Sequence, residues 1–336
     1  MKHRIVLSLI CLGCAATAPA EASPFVFDNG NVDGRLASAS RPATPAKFEI
    51  ESADDFILSS RTLINSASFT GLLPSGTPLG DVSQLNVEIY RIFPKDSTNP
   101  PSGRVPTRTN SPSDVKFDER GSIASTLNFV SSLLSSSFSA VNSVLPGGIH
   151  PSPNQTTGGN GAMTGEEVRF DVTFATPFDL PADHYFFVPQ VAITGAGDFL
   201  WLSSARPIVA PGTPFTPDLQ AWARDQSLDP DWLRVGTDIV GGSPAPTFNL
   251  AFSLQGQSVS PASVPEPASL ALVSLAIAGL AVFGRKRPAP ISAKDSQHRH
   301  RTPDLRKELP CGSSPEVAIG HHIVLQSGPM KSSAIG

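Results

Sequence analysis

Cysteine is almost absent from this chain of 336 residues. Cys11 and Cys14 lie near its beginning and Cys311 near its end, so the stretch from residue 23 to residue 263 contains none. This excludes a disulfide framework and a cysteine-rich zinc site from that stretch. Its stability must come from a buried core, and about 240 residues are enough to form one.

Histidine and catalytic motifs are also scarce in this stretch. His150 and His184 are its two histidines, and they cannot supply the three or four ligands that a zinc centre needs. No Gly-x-Ser-x-Gly motif supports a serine triad. The sequence does not show which of the many carboxylates could pair as glycosidase residues. We therefore expect a protein that is not an enzyme and that has no cofactor.

Basic residues are few between residues 23 and 264, where 14 Lys plus Arg face 23 Asp plus Glu, a net charge of −9. Residues 284–336 carry a net charge of +5. Binding to nucleic acid requires basic surface, so we expect no nucleic-acid partner. A polysaccharide, a metal ion or simply solvent suits an acidic domain better.

The N-terminal residues have the organisation of a signal peptide. Lys2 to Arg4 are basic, residues 5–16 are apolar, and small residues lead to Ala22. We predict a signal peptide over residues 1–22 and export through the Sec pathway. A lipoprotein alternative through Cys14 lacks the leucine that is usual three positions earlier.

A second hydrophobic segment lies near the C-terminus. The uncharged run from Ala268 to Phe283 would form a helix about 24 Å long, somewhat short of the ~30 Å hydrocarbon core, and snorkelling of basic side chains can cover the difference. We predict a transmembrane helix over residues 268–283. Positive charge after the run places that end in the cytoplasm and the preceding domain outside. The flanking residues are Val264, Pro265, Glu266 and Pro267 before the run, and Arg285, Lys286 and Arg287 after it.

These three parts together resemble the PEP-CTERM sorting signal of Gram-negative bacteria, over about residues 264–287. The resemblance implies passage across the inner membrane, a transient anchor there, and processing near Pro265 to Pro267 by an exosortase-type enzyme. It also implies a final place at the cell surface or in an exopolysaccharide-rich matrix, as in a biofilm. It implies nothing about the activity of residues 23–263. Residues 288–336 extend past the usual end of such chains and are expected to form a disordered basic cytoplasmic tail.

Residues 23–263 show the pattern of an exported all-β domain. Polar and apolar residues alternate in short runs, and proline and glycine interrupt them as turns. We therefore predict a β-sandwich or jelly-roll-like fold. The runs are 24–27, 47–51, 55–58, 63–69, 85–93, 168–174, 185–188, 199–202 and 248–254.

Two stretches predict accessory helices instead. Between Ile123 and Leu145 apolar residues recur every three or four positions, which is typical of an amphipathic helix. From Thr216 to Arg224, Thr216 can cap a short helix and Pro217 can take its first position.

The segment from Asp28 to Gly34 is the candidate metal site. Asp28, Asn29, Asn31 and Asp33 place oxygen atoms among glycines, as a calcium loop does. An Asn/Asp/Gly turn suits the same residues, and we favour the turn. Asp54 and Asp55 are expected to mark a solvated strand entry.

The three tryptophans Trp201, Trp222 and Trp232 lie close together in the sequence. If exposed, they could form a stacking platform for sugar rings, whereas the alternative is a place in the core. Three functional classes follow. The leading one is a non-enzymatic structural or adhesive surface protein, the second a carbohydrate-binding module, and the third a secreted glycan hydrolase.

Overall fold

A computed structural model of the chain describes residues 22–149, 155–208 and 219–259, which belong to one compact unit. Residues 1–21 of the predicted signal peptide lie outside these residues, as do the sorting signal, the transmembrane helix, the tail and His150, whereas Ala22 is described as the first residue of a strand. Within the described ranges, no helix has the length and apolar character needed to span a membrane.

Fifteen strands make up most of the described chain, with three short helical turns. The first eight strands are β1 (Ala22–Asp28), β2 (Val32–Ala39), β3 (Ile50–Leu58), β4 (Thr62–Pro74), β5 (Val82–Arg91), β6 (Asp118–Gly121), β7 (Leu127–Ala140) and β8 (Asn142–Val144). The others are β9 (Met163–Leu180), β10 (Asp183–Ile193), β11 (Leu200–Ser204), β12 (Trp222–Asp225), β13 (Leu233–Arg234), β14 (Asn249–Leu250) and β15 (Phe252–Val259). The helical turns are the 3-10 helices Leu79–Asp81 and Pro146–Gly148 and the π-helix Val235–Val240. The predicted all-β class is confirmed.

The strands form a nine-stranded and a six-stranded sheet. In the larger sheet, β9 lies between β7 and β4. The other edge of β4 pairs with β15 along its N-terminal part and with β11 along its C-terminal part. β15 leads on to β1, while β11 leads on to β2 and β8 and also pairs with β14. The smaller sheet has the order β13-β12-β3-β10-β5-β6.

One large apolar core joins side chains of both sheets. The ring of Phe187 on β10 lies 5.9 Å from that of Trp201 on β11 and 5.0 Å from that of Phe252 on β15. All three side chains are almost fully buried. Strand alternation explains this core, since every second residue of each strand points inward.

The predicted helix between Ile123 and Leu145 is wrong. This segment forms β7 and β8, and β7 pairs with β9. The pairing shifts register between Leu133 and Ser135 and again between Ser135 and Phe138. Each such shift changes which face the following residues take, so the apolar residues follow a mixed spacing that resembles a helix.

The predicted helix from Thr216 to Arg224 is also wrong in its described part. Trp222–Asp225 is strand β12, which pairs with β3 from Ala53 to Ile50. Pairing with a central strand outweighs the weak local preference for a helix. Thr216 and Pro217 lie outside the described residues.

A second, smaller apolar cluster covers the outer face of the six-stranded sheet. Its buried members are Ala53, Tyr90, Phe186, Val188, Leu219, Trp222 and Trp232. The segments after β5 and after β12 contact each other over this face. Arg108 Nε lies 3.3 Å from a carboxylate oxygen of Asp231, and Arg104 donates to the carbonyl of Asp229 at 3.4 Å. Arg108 and Asp231 are both buried.

Candidate functional site

Three glutamates meet on the outer face of the six-stranded sheet. Glu51 on β3 and Glu88 on β5 point outward by strand alternation, and Glu49 lies just before β3. One carboxylate oxygen of each lies within 4.8 Å of the other two. Glu51 and Glu88 are each 3% exposed, whereas Glu49 is half-buried. We call Glu49, Glu51 and Glu88 the glutamate cluster.

The hydroxyl of Tyr90 joins two members of the cluster. It lies 2.7 Å from Oε1 of Glu51 and 2.9 Å from Oε2 of Glu88, and it accepts a hydrogen bond from Arg224 at 2.9 Å. A phenol has one proton to donate, so a second hydrogen bond to a carboxyl group requires that this group be protonated. Burial, followed by the charge of Glu51, raises the pKa of Glu88 to about 7. Glu88 is thus the carboxyl group that holds the extra proton.

Arg224 on β12 keeps Glu51 ionised. Burial by itself would raise the pKa of Glu51, but the charge of Arg224 and its hydrogen bond lower that pKa below its ordinary value. The Arg224 guanidinium also donates to Asp229 at 2.8 Å and lies 4.3 Å from the ring centre of Trp232. These contacts fix the guanidinium against the buried carboxylate.

Lys116 and Gln190 complete the surroundings of the cluster. Lys116 Nζ donates to Oε1 of Glu88 at 2.8 Å and also contacts Glu119. Gln190 on β10 is fully buried and donates through Nε2 to Oε1 of Glu49 at 2.9 Å. Burial, followed by the charge of Glu51, raises the pKa of Glu49 as well.

The geometry differs from that of a glycosidase pair. Such enzymes hold two carboxyl groups about 5 Å or more apart on either side of a substrate. Here Glu51 and Glu88 contact the same hydroxyl and are shielded from solvent. The two carboxyl groups share one hydroxyl group, so this pair is not arranged on either side of a sugar ring.

The pKa of Glu88 predicts a pH dependence of stability. Its ordinary value is 4.5 and its folded value about 7, so the folded state keeps a proton that the unfolded chain loses between these pH values. The resulting stability is complete below pH 4.5 and is lost as the pH rises to 7. Between pH 4.5 and 7, the free energy of unfolding of the wild type should fall by on the order of 3 kcal/mol relative to that of Glu88→Gln.

Urea denaturation at several pH values, with chelator present, measures this difference. Glu166→Gln serves as the control, because Glu166 lies on β9 away from the cluster. It should follow the wild-type profile. Parallel profiles for the wild type and Glu88→Gln would contradict the assignment of the proton to Glu88.

Asp54 and Asp55 are not at a solvated strand entry, so that expectation is wrong. Both are buried within β3. Asp54 accepts from the side-chain amide of Asn29 and from the backbone N–H of Leu250, both at 2.6 Å. Asp55 lies 2.6 Å from Nε2 of His184. These contacts, which offset the cost of burial, join residues far apart in the sequence.

The segment from Asp28 to Asp33 forms a turn between β1 and β2. Asp28 Oδ1 accepts from the N–H of Gly30 at 2.8 Å, and Asp33 Oδ1 accepts from the N–H of Arg35 at 2.9 Å. These are Asx turns. Asn29 is buried, and its side-chain oxygen accepts from Arg206 at 2.8 Å. The contacts agree with the favoured turn interpretation, and the calcium alternative through these residues and Asn31 stays a prediction.

The three tryptophans do not form an exposed platform. Trp201 and Trp232 are 0% exposed and Trp222 is 2% exposed. Trp201 lies in the main core, where its Nε1 donates to the carbonyl of Ala251 at 2.9 Å, while the other two belong to the outer cluster. A sugar ring needs an open indole face, so the stacking prediction fails for this arrangement.

Comparison with protein families identifies the C-terminal signal. The PEP-CTERM protein-sorting motif matches residues 263–287. The chain carries a PEP-CTERM sorting motif. A PEP-CTERM chain is a membrane-anchored precursor that an exosortase processes for export to the cell surface. No curated protein and no solved structure matches the chain.

Proposed function

We propose that this PEP-CTERM protein has a non-enzymatic structural or adhesive role in an exopolysaccharide-rich envelope, after export and removal of its C-terminal signal. The main support is strand β7 at the edge of the nine-stranded sheet. Its 14 residues contain no charged side chain. Within the described chain β7 pairs with β9 alone, so one edge of its backbone is open.

The side chains of β7 add an apolar surface to this open edge. Val130 is 68% exposed, Leu133 48% and Leu134 52%. Soluble proteins usually protect such edges with charges, proline or a covering segment. An unprotected edge suits a protein whose role is to contact other surface material, because backbone groups and apolar side chains are available together.

Charge placed on β7 should weaken this contact. We expect Val130→Lys/Leu134→Lys to reduce retention of the protein in the cell-surface and matrix fraction severalfold, with little change in melting temperature, because both side chains are exposed. Immunoblotting measures the ratio of protein in the surface fraction to protein in the medium.

The matched control is Ile123→Lys/Val141→Lys. These residues are 74% and 75% exposed and lie outside β7, so the control adds the same charge beside the strand. It should leave retention unchanged. Equal retention of both double variants and the wild type would contradict a role of the β7 edge.

Processing of the precursor gives an independent test. A tag after Ser23 should be found at the cell surface, whereas a tag at Gly336 should be absent from the mature form, because cleavage near Pro265 to Pro267 removes the C-terminal segment. Pro265→Ala/Glu266→Ala/Pro267→Ala should accumulate as a membrane-bound precursor that keeps both tags. Mature surface protein that still carries the Gly336 tag would refute the processing step.

A further inference from the structure

Negative charge exceeds positive charge around the glutamate cluster. Glu51 and Glu88 are paired with Arg224 and Lys116, and each of these cations also contacts one further carboxylate. Glu49 adds a carboxyl group that forms no ion pair with the described residues, although Arg224 and Lys116 act on it at longer range. Five carboxyl groups, of which Glu88 holds a proton, therefore surround two cations. They are Glu49, Glu51, Glu88, Glu119 and Asp229.

A neutral oxygen beside the cluster also lacks a partner. Oε1 of Gln190 is buried and has no hydrogen-bond partner among the described residues, while Nε2 of the same amide binds Glu49. A buried amide oxygen without a hydrogen-bond partner destabilises the folded state. Rotation of the amide exchanges the positions of its oxygen and nitrogen atoms with almost no change in shape. The exchanged oxygen would face Glu49, and this contact becomes favourable when a cation lies between them.

We propose that Glu49, Glu51, Glu88 and the amide oxygen of Gln190 bind a calcium ion. Calcium prefers six to eight oxygen ligands at about 2.3–2.6 Å, including carboxylates, amide carbonyls and water. Two ligands on opposite sides of such an ion are about 4.8 Å apart. The three glutamate oxygens already lie within 4.8 Å of one another, so small side-chain rotations bring them into coordination.

The exposure of the ligands is consistent with entry of the ion. Glu49 is half-buried and gives a path from solvent, where water completes the coordination, while Glu51 and Glu88 form the buried side. Lys116, whose side chain is 41% exposed, can stay with Glu119.

Calorimetric titration of the full-length chain in detergent with Ca²⁺ alone, after removal of metal by chelator, tests the site. We expect saturable binding to one site and a melting temperature that rises with Ca²⁺. Glu49→Gln and Gln190→Met should each weaken binding at least tenfold. Glu49 contacts no cation in the described chain, and Met matches Gln in length, so both variants should fold; near-ultraviolet circular dichroism checks this.

Two controls separate this site from others. Glu166→Gln, remote from the cluster, should bind as the wild type does. Asp28→Ala/Asp33→Ala removes the other candidate loop and should also leave Ca²⁺ affinity unchanged.

The alternative results are distinct. No saturable binding, or equal Ca²⁺ affinity in the wild type and folded Glu49→Gln, would overturn the proposal. Loss of binding in Asp28→Ala/Asp33→Ala alone would assign the ion to the turn between β1 and β2. None of these outcomes bears on the β7 edge, whose test uses surface retention.

Discussion

Replacement of Arg224 by Met is expected to lower the free energy of unfolding by about 3–5 kcal/mol near neutral pH. Arg224 is buried and binds Glu51, Asp229 and the hydroxyl of Tyr90. Its removal leaves the Glu51 carboxylate buried without its cation, and that uncompensated charge is the main cost. Chemical denaturation at pH 7.5 measures the loss.

The pH dependence identifies Glu51 as the cause. Because Arg224 lowers the pKa of Glu51, the stabilisation is present above its ordinary value of 4.5 and is lost as the pH falls below it. The loss of unfolding free energy caused by Arg224→Met should therefore be smaller at pH 4. At pH 7.5 the double variant Glu51→Gln/Arg224→Met should be more stable than Arg224→Met alone. Arg61→Met breaks an exposed ion pair with Asp179 and should have a much smaller effect. A penalty independent of pH and of Glu51 would show that lost packing dominates.

Replacement of Trp201 by Ala should also lower the free energy of unfolding by about 3–5 kcal/mol. Its indole is fully buried and packs edge-on against Phe69, Phe187 and Phe252. Truncation leaves a cavity where the two sheets meet. Denaturation should show one transition by both tryptophan fluorescence and far-ultraviolet circular dichroism. Its midpoint should be lower than that of the wild type by the same amount in the two signals.

Trp201→Phe is the matched variant, because it keeps an aromatic ring and loses only part of the volume and the hydrogen bond to Ala251. Trp201→Phe should lower the free energy of unfolding by clearly less than Trp201→Ala does. If both variants unfolded like the wild type, Trp201 would not hold the sheets together.

Most of the sheet could be predicted because strand alternation is a local signal. The predicted runs 85–93, 168–174 and 185–188 lie almost wholly within β5, β9 and β10. The β7 segment was not recognised, because its two register shifts interrupt the alternation and its serines are polar without being charged. β12 was missed because its preference for a strand comes from pairing with β3, which the local sequence does not encode.

The glutamate cluster was beyond sequence reasoning for a related reason. Alternation does place Glu49 with Glu51, and Glu88 with Tyr90, on a common face of their own strands. The sequence does not show that β10 separates β3 from β5, or that Arg224 arrives from β12. Burial of Asp54 and Asp55 could not be foreseen either, since their partners Asn29, Leu250 and His184 are distant in the chain.

The pairing of β15 has a mechanical consequence. β15 ends at Val259, shortly before the sorting motif at residues 263–287, and lies between β1 and β4 in the sheet. Antiparallel hydrogen bonds run perpendicular to the strands, so tension transmitted along β15 from its C-terminal end loads both ladders in shear. Bonds in shear rupture together, whereas bonds at a peeled edge rupture one after another. Force applied at this end of the chain would therefore strain the nine-stranded sheet in its more resistant direction.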